Sequence, residues 1–333
     1  MNYKNLPKIE LHCHLDGSMR PSTYLELAKE FNIELPTYIE SELIEYISVP
    51  ASCKDLVEYI SKFELPLKLM QTKSSLKRVM YELLEDASKE NVKYIEVRFG
   101  PQLHFNENLS YDDMISSLIE AIDEAKSYFN IESQLILSFI RTMPKDDIKS
   151  ILDIGTKYLT RGLIAVDLAG AELEGFSSEF EPYIKYARDL GYRVTIHAGE
   201  QGSGKNVLDA VEILKAERIG HGVYTSNDKK AYNLVKEKEI TLEMCINSNF
   251  HTKAASIDSH PFLKYYNDGI HINLSTDNRT ISNTTLSREI ETVKELFDLN
   301  MEQYKEIYKM SVKGSFAADS VKEKLLSYID NVL

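Results

Sequence analysis

The segment Glu-Leu-His-Cys-His-Leu-Asp-Gly-Ser at positions 10–18 sets two imidazoles two residues apart. A strand over Ile9–His14 has a side-chain period of two, so His12 and His14 share one face. Two neutral imidazoles on one face can grip a divalent metal, and zinc accepts imidazole well. Cys13 points to the opposite face and is not expected to be a ligand. A metal centre needs further ligands, and these must come from other parts of the chain.

The elements that would position them alternate regularly. Short β-branched runs read as strands at Ile9–His14, Lys93–Phe99, Gln134–Arg141, Leu163–Leu168, Arg193–His197, Arg218–His221, Thr241–Cys245 and His271–Thr276. Most are followed by a helical pattern. Leu76, Val79, Met80, Leu83, Leu84 and Ala87 recur at helical spacing and should bury one face. Ser110, with Asp113 three residues on and Met114, Leu118 and Ile122 beyond, reads as a capped helix start. Eight alternating units imply parallel strands joined by right-handed crossovers. The expected architecture is α/β, a closed (β/α)8 barrel, with a largely helical insertion from about Arg20 to Thr72 after the first strand. Neither a linker nor a repeat divides residues 1–333, so one domain is expected.

Active-site groups of such barrels stand at the C-terminal ends of the strands. Those ends hold His12 and His14, Asp167 and Gly170, His197 and Glu200, His221, and Asp277. His197 or His221 alone would read as a core histidine, and Asp277 alone as a turn residue. Together they place four of the eight histidines and three acids at or just past strand ends. Imidazoles with a carboxylate are ligand types that zinc accepts. Glu200 follows His197 by three residues and suits a general acid, the bland alternative being a first-turn glutamate that complements a helix dipole. His271 falls at the wrong end of its strand, and His104, His251 and His260 fall in loops with solvated or hydrogen-bonded roles. Glu96 and Arg98, on one face of the second strand, are expected to pair inside the barrel. Gly199-Glu-Gln-Gly-Ser-Gly-Lys205 nearly matches a phosphate-binding loop, but Asn206 replaces the hydroxyl that would hold Mg²⁺.

Composition narrows the partners. With 43% apolar residues a large core is available, and no 18-residue apolar run suggests a membrane span. A formal charge of −13 argues against a nucleic-acid partner and fits a small, weakly charged substrate. The N-terminal residues lack signal-peptide features, and Cys13, Cys53 and Cys245 form no cluster, so a reducing cytoplasm is expected. Nothing in the sequence sets an oligomeric state.

Pro7-Lys-Ile-Glu-Leu-His-Cys-His-Leu-Asp-Gly17, Tyr94-Ile-Glu-Val-Arg-Phe-Gly-Pro101, Val166-Asp-Leu-Ala-Gly170, His197-Ala-Gly-Glu200, Arg218-Ile-Gly-His-Gly222 and Ser275-Thr-Asp-Asn278 occur in that order. In these motifs the chain closely resembles the adenosine deaminase family of metal-dependent hydrolases, from about Leu6 to the end. The resemblance implies one Zn²⁺ per chain and conversion of adenosine, and of 2′-deoxyadenosine, to the inosine product and ammonia in purine salvage. It implies zinc ligation by His12, His14, His197 and Asp277, with Asp277 also catalytic. Glu200 would protonate purine N1, and His221 would orient and deprotonate the attacking water. Asp16 would hold a ribose hydroxyl beside His14, the Gly170 N–H would reach N3, and Leu56, Tyr59 and Phe63 would form a lid. Many relatives carry two aspartates where this chain has Asp277 and Asn278; the Asn278 amide can donate to N7 without the protonation an aspartate needs.

Other readings keep the barrel but take free adenine or an N6-substituted adenine nucleotide. A phosphate would need nearby basic groups, and only Lys253 and Arg279 look placed for it. A catalytically dead binding module would have lost a ligand or Glu200, and none is lost. The cytidine-deaminase type of site needs His-x-Glu with Pro-Cys-x-x-Cys, and the chain has neither.

Overall fold

The computed structural model describes residues 3–50, 52–330 and 332. Its strands are β1 Lys8–His14, β2 Val92–Phe99, β3 Glu132–Ile140, β4 Leu163–Ala169, β5 Arg193–Ala198, β6 Arg218–His221, β7 Thr241–Met244 and β8 Ile272–Leu274. These are the eight anticipated runs, with no end displaced by more than two residues. Each strand pairs in parallel with the next, in the order β1 to β8.

The seam between β8 and β1 is stitched differently. Its backbone contacts are a single bridge at Cys13 and Asp277, with Asp277 N donating to His12 O at 2.8 Å and His14 N to Asp277 O at 2.7 Å. Side chains complete it: Thr276 Oγ1 donates to Glu10 at 2.8 Å and Asn273 Nδ2 to Ile9 O at 3.2 Å. The expected β8 run to Thr276 is therefore cut short, because the chain leaves β7 and turns toward the barrel axis at Asp277.

The insertion is helical, as expected: α1 Pro21–Phe31, α2 Glu40–Ile47, α3 Leu56–Ser61 and α4 Glu64–Leu69. Tyr59 packs with Val49, Cys53 and Ile281, and Leu56 and Phe63 lean on the same cluster, so α3 rests on the loop that follows β8. Helix α5, Lys73–Lys89, buries the six residues read from its periodicity, and Thr72 and Ser75 close a capping box at its start. Helix α6, Tyr111–Tyr128, is capped by Ser110, whose side chain accepts from Asp113 N. Burying each large apolar side chain on these faces contributes roughly 1.5–3 kcal/mol.

The floor of the barrel is ionic. Arg98 contacts Asp167 at 3.1 Å and also Glu243, while Arg218 contacts Glu243 at 2.7 Å and also Glu96. All five side chains are fully buried or nearly so. The expected pairing of Glu96 with Arg98 is thus corrected: each residue finds its partner across the barrel. Side chains two apart on a strand are separated by about 6.6 Å of rise, whereas inward-pointing side chains from strands around a closed barrel meet at its axis.

Candidate active site

At the C-terminal ends of the strands the imidazoles converge. His12 stands with its ring centre 4.5 Å from that of His197, 4.8 Å from His221 and 5.3 Å from His14. His14 Nε2 lies 3.2 Å from His197 Nε2 and 3.4 Å from Asp277 Oδ1, and His12 Nε2 lies 3.4 Å from the same oxygen. Ligand atoms of His12, His197, His221 and Asp277 all fall within 4.8 Å of one another. Three histidines and an aspartate at this spacing fit a single metal site; this tightest group takes in His221 and leaves out His14, which stands beside His197 and Asp277, so distance alone does not say which of the two is the third imidazole. Cys13, fully buried, sits off the cluster with its thiol 3.5 Å from Ser18 Oγ, so the alternation reading holds.

Two of the rings have a carboxylate partner on Nδ1. His12 Nδ1 is 2.9 Å from Glu243, and His197 Nδ1 is 2.9 Å from Asp167. Burial pushes both carboxyl groups up, but Arg98 and Arg218 beside Glu243, and His197 and Arg98 beside Asp167, hold them well below the usual range. An ionised carboxylate accepts a hydrogen bond from Nδ1–H, which keeps the ring proton on Nδ1 and leaves a lone pair on Nε2, the form a metal requires. His12 Nε2 is buried with no hydrogen-bond partner, and burial lowers its ring to about 4, so it stays neutral. A bare Nε2 facing a carboxylate oxygen is a cradle for a cation. Ser248 Oγ donates to Asp277 Oδ2 at 2.6 Å and leaves Oδ1 toward the imidazoles.

His221 and Asp277 both adopt φ of +62°. A non-glycine residue there costs of order 1–3 kcal/mol, and the turn re-aims each side chain from its strand end toward the axis. The structure also brings Glu200 to this opening: its Oε2 lies 3.7 Å from His221 Nε2. The helix after β5 starts only at Gly204, with Ser203 as its cap, so Glu200 stands in the loop and not in a first helical turn.

That loop is held by a residue the sequence reading missed. The Glu172 carboxylate accepts from the backbone of Gly199 at 2.8 Å, Glu200 at 2.9 Å and Gln201 at 3.1 Å, and from Asn206 Nδ2 at 2.8 Å. The first three amides of the phosphate-loop look-alike are therefore filled by the protein's own carboxylate. The signal was a lone glutamate two residues beyond Gly170, with no expected partner. Glu172→Ala should lower kcat by roughly 10²-fold through misplacement of Glu200, with metal content unchanged, as read by steady-state kinetics beside metal analysis.

Asp16 and Asn278 are buried beside Asp277, and a Cβ at Gly17 would stand 1.9 Å from Asn278 Oδ1, so only glycine lets these segments meet. Gly170, with φ of +83°, is fixed by Arg141 Nη1 donating to its carbonyl at 2.7 Å, and Arg141 also donates to His197 O. Of the remaining histidines, His104 and His260 are buried and hydrogen-bonded, not solvated, and His271 lies just before β8 at the far end.

The sequence of this chain matches the adenosine deaminase family model over residues 7–332. The chain belongs to the adenosine deaminase family. A family relative, the adenosine deaminase of Shewanella woodyi, is 51% identical over 98% of this chain and 99% of its own. Among solved structures, an Arabidopsis N6-mAMP deaminase superposes with a TM-score of 0.85 at 28% identity, covering 99% of each chain. The adenine deaminase of Arthrobacter aurescens superposes at 0.90 with 24% identity, covering 98% of each chain, a likeness of fold. The family's barrel explains why the strand ends gather the histidines and acids. Among the described residues, no helix is long and apolar enough to cross a membrane.

Proposed function

We propose that this chain holds one zinc ion through His12, His14, His197 and Asp277 and hydrolyses adenosine and 2′-deoxyadenosine to the inosine product and ammonia, as in purine salvage. The observation that carries the reading is the convergence of His12 Nε2 and His14 Nε2 on Asp277 Oδ1, each 3.4 Å away, with Glu200 facing the same opening. When bound, the metal supplies Lewis acidity that lowers the pKa of water and makes it a nucleophile at neutral pH. The residues do the rest. Water attacks purine C6 while His221 orients it, Glu200 delivers a proton to N1 as the ring loses aromaticity, and the carboxylate so formed takes one proton from the attacking water. The C6–N bond then breaks as Glu200 passes that proton to the amine, which leaves as ammonia, and the remaining hydroxyl proton returns to Glu200 as C6 becomes a carbonyl.

Substrate recognition follows from the rim. Burial raises Asp16 to about 6, so it remains ionised at neutral pH and can accept from a ribose hydroxyl. The Gly170 N–H serves N3. Asn278 Nδ2 donates one hydrogen to Tyr59 Oη at 3.0 Å, and Tyr59 Oη also meets Ser282 Oγ at 2.6 Å. The second amide hydrogen serves N7, so helix α3 closes over the base and orients its reader at once. A nucleotide is disfavoured: Arg279, one of two cations considered for a phosphate, is buried and paired with Glu90, and Asp16 would repel the charge. Three free, buried cysteines fit a reducing cytoplasm, and the family match across the chain fits residues 1–333 acting as one unit with a small nucleoside as its partner.

The test is ammonia release by zinc-loaded protein from adenosine, 2′-deoxyadenosine, adenine and N6-methyl-AMP. Adenosine should give the highest kcat/KM, or share it with the deoxynucleoside. Greater turnover of adenine or of the methylated nucleotide would overturn the substrate assignment.

A further inference from the structure

His221 has a different neighbour from His12 and His197. Its Nδ1 faces no carboxylate but the amide Nδ2 of Asn249, at 3.0 Å. Asn249 Oδ1 lies 3.2 Å from His260 Nε2, and His260 Nδ1 lies 3.2 Å from the backbone nitrogen of Phe262. The three side chains are buried, at 1%, 0% and 6% exposure for His221, Asn249 and His260.

The direction of this chain is fixed from its far end. The Phe262 N–H can only donate, so His260 Nδ1 accepts. A neutral imidazole then carries its proton on Nε2, and burial keeps the His260 ring neutral, lowering it to about 3. His260 Nε2–H donates to Asn249 Oδ1, which turns the amide N–H toward His221. His221 Nδ1 must accept, and its proton therefore sits on Nε2, on the side of Glu200 and the metal cradle.

We propose that Asn249 and His260 are positioning residues that hold His221 in its Nε2–H form, keeping this ring out of the metal shell and aiming a hydrogen-bond donor at the attacking water. The proposal rests on the ligand set given above. It also separates imidazoles that distance alone does not: His12 and His197, backed by carboxylates, present lone pairs, and His221, backed by an amide, presents a proton. The resemblance-based role of His221 as the group that deprotonates the water is replaced by one that orients it and stabilises the oxygen as it bonds to C6, the water proton passing to the Glu200 carboxylate left by protonation of N1.

Zinc-loaded protein with ¹⁵N-labelled histidine reads this directly, the His221 signals being identified by their loss in His221→Gln. The expected spectrum shows a protonated Nε2 and a bare, hydrogen-bonded Nδ1. Asn249→Asp keeps the shape but substitutes an acceptor, and should move the proton to Nδ1 and cut kcat by roughly 10²-fold with KM and zinc per chain unchanged. His260→Gln retains an N–H toward Asn249 and should keep more activity than His260→Leu. A wild-type spectrum with the proton on Nδ1, or Asn249→Asp with full kcat, would overturn the proposal. Loss of zinc in Asn249→Asp would overturn it too, because the residue would then act on the metal shell. Loss of zinc in His221→Gln would instead contradict the ligand set. A Nδ1–H spectrum with zinc retained in that variant would contradict the positioning role alone.

Discussion

Glu200→Gln should abolish nearly all ammonia release from adenosine, lowering kcat by roughly 10²–10⁴-fold, the usual worth of a positioned general acid. The residue is 8% exposed, and its loop is pinned by Glu172 through backbone amides that the substitution does not touch. Glutamine is close to isosteric and keeps an N–H toward purine N1, so binding survives. It cannot surrender that proton, so the ring cannot be neutralised as C6 is attacked. Steady-state kinetics with metal analysis of the same samples should show KM changed little and zinc near one per chain. A variant that keeps wild-type kcat would remove Glu200 from the proton chemistry. One that loses zinc in step with activity would make it part of the metal shell.

His14→Ala should empty the metal site. His14 Nε2 stands 3.2 Å from His197 Nε2 and 3.4 Å from Asp277 Oδ1, so it forms one wall of the cradle. After dialysis the variant should hold far less than one zinc per chain, and activity should fall in proportion. Glu243→Gln provides the graded comparison. Glu243 touches no metal but fixes the proton of His12 from 2.9 Å, and losing such a partner weakens metal binding by about 10–100-fold. Its activity should return with excess zinc, whereas that of His14→Ala should not. Full zinc content in His14→Ala would show that His221 supplies a ligand in its place.

The contrast between these residues shows what a sequence can and cannot convey. Strand alternation put His12 and His14 on one face and Cys13 on the other, and the rule that barrel chemistry gathers at strand ends picked out His197, His221 and Asp277. Those inferences depend only on local periodicity and strand direction. Partner choice does not. Period two placed Glu96 and Arg98 on the same face but could not say which strand opposite would meet each of them, since that depends on register around the closed barrel. Glu243, in the short run Thr241–Met244, offered only a carboxylate in an apolar strand. Asn249 and His260 belong respectively to the helix Ile246–His251 and a loop beyond β7, where no periodic signal ties either one to His221. Glu172 was hidden for the same reason: its ligands are backbone amides, which every residue carries.

Buried charges cost more than they return unless geometry needs them. The lattice of Arg98, Asp167, Glu243, Arg218 and Glu96 has such a need. Two of its carboxylates are the ones that orient His12 and His197, so the barrel floor and the metal site are one hydrogen-bonded unit. The strained backbones of His221 and Asp277 fit the same picture, with packing beneath them sustaining conformations those residues would not choose.

The central claim is tested most directly by following ammonia release from adenosine while zinc is removed from the wild-type protein and returned in counted amounts. Turnover should be absent in the metal-free protein and should rise linearly to an end point at one zinc per chain. Full activity without metal, or zinc-loaded protein that releases no ammonia from adenosine, would contradict the claim.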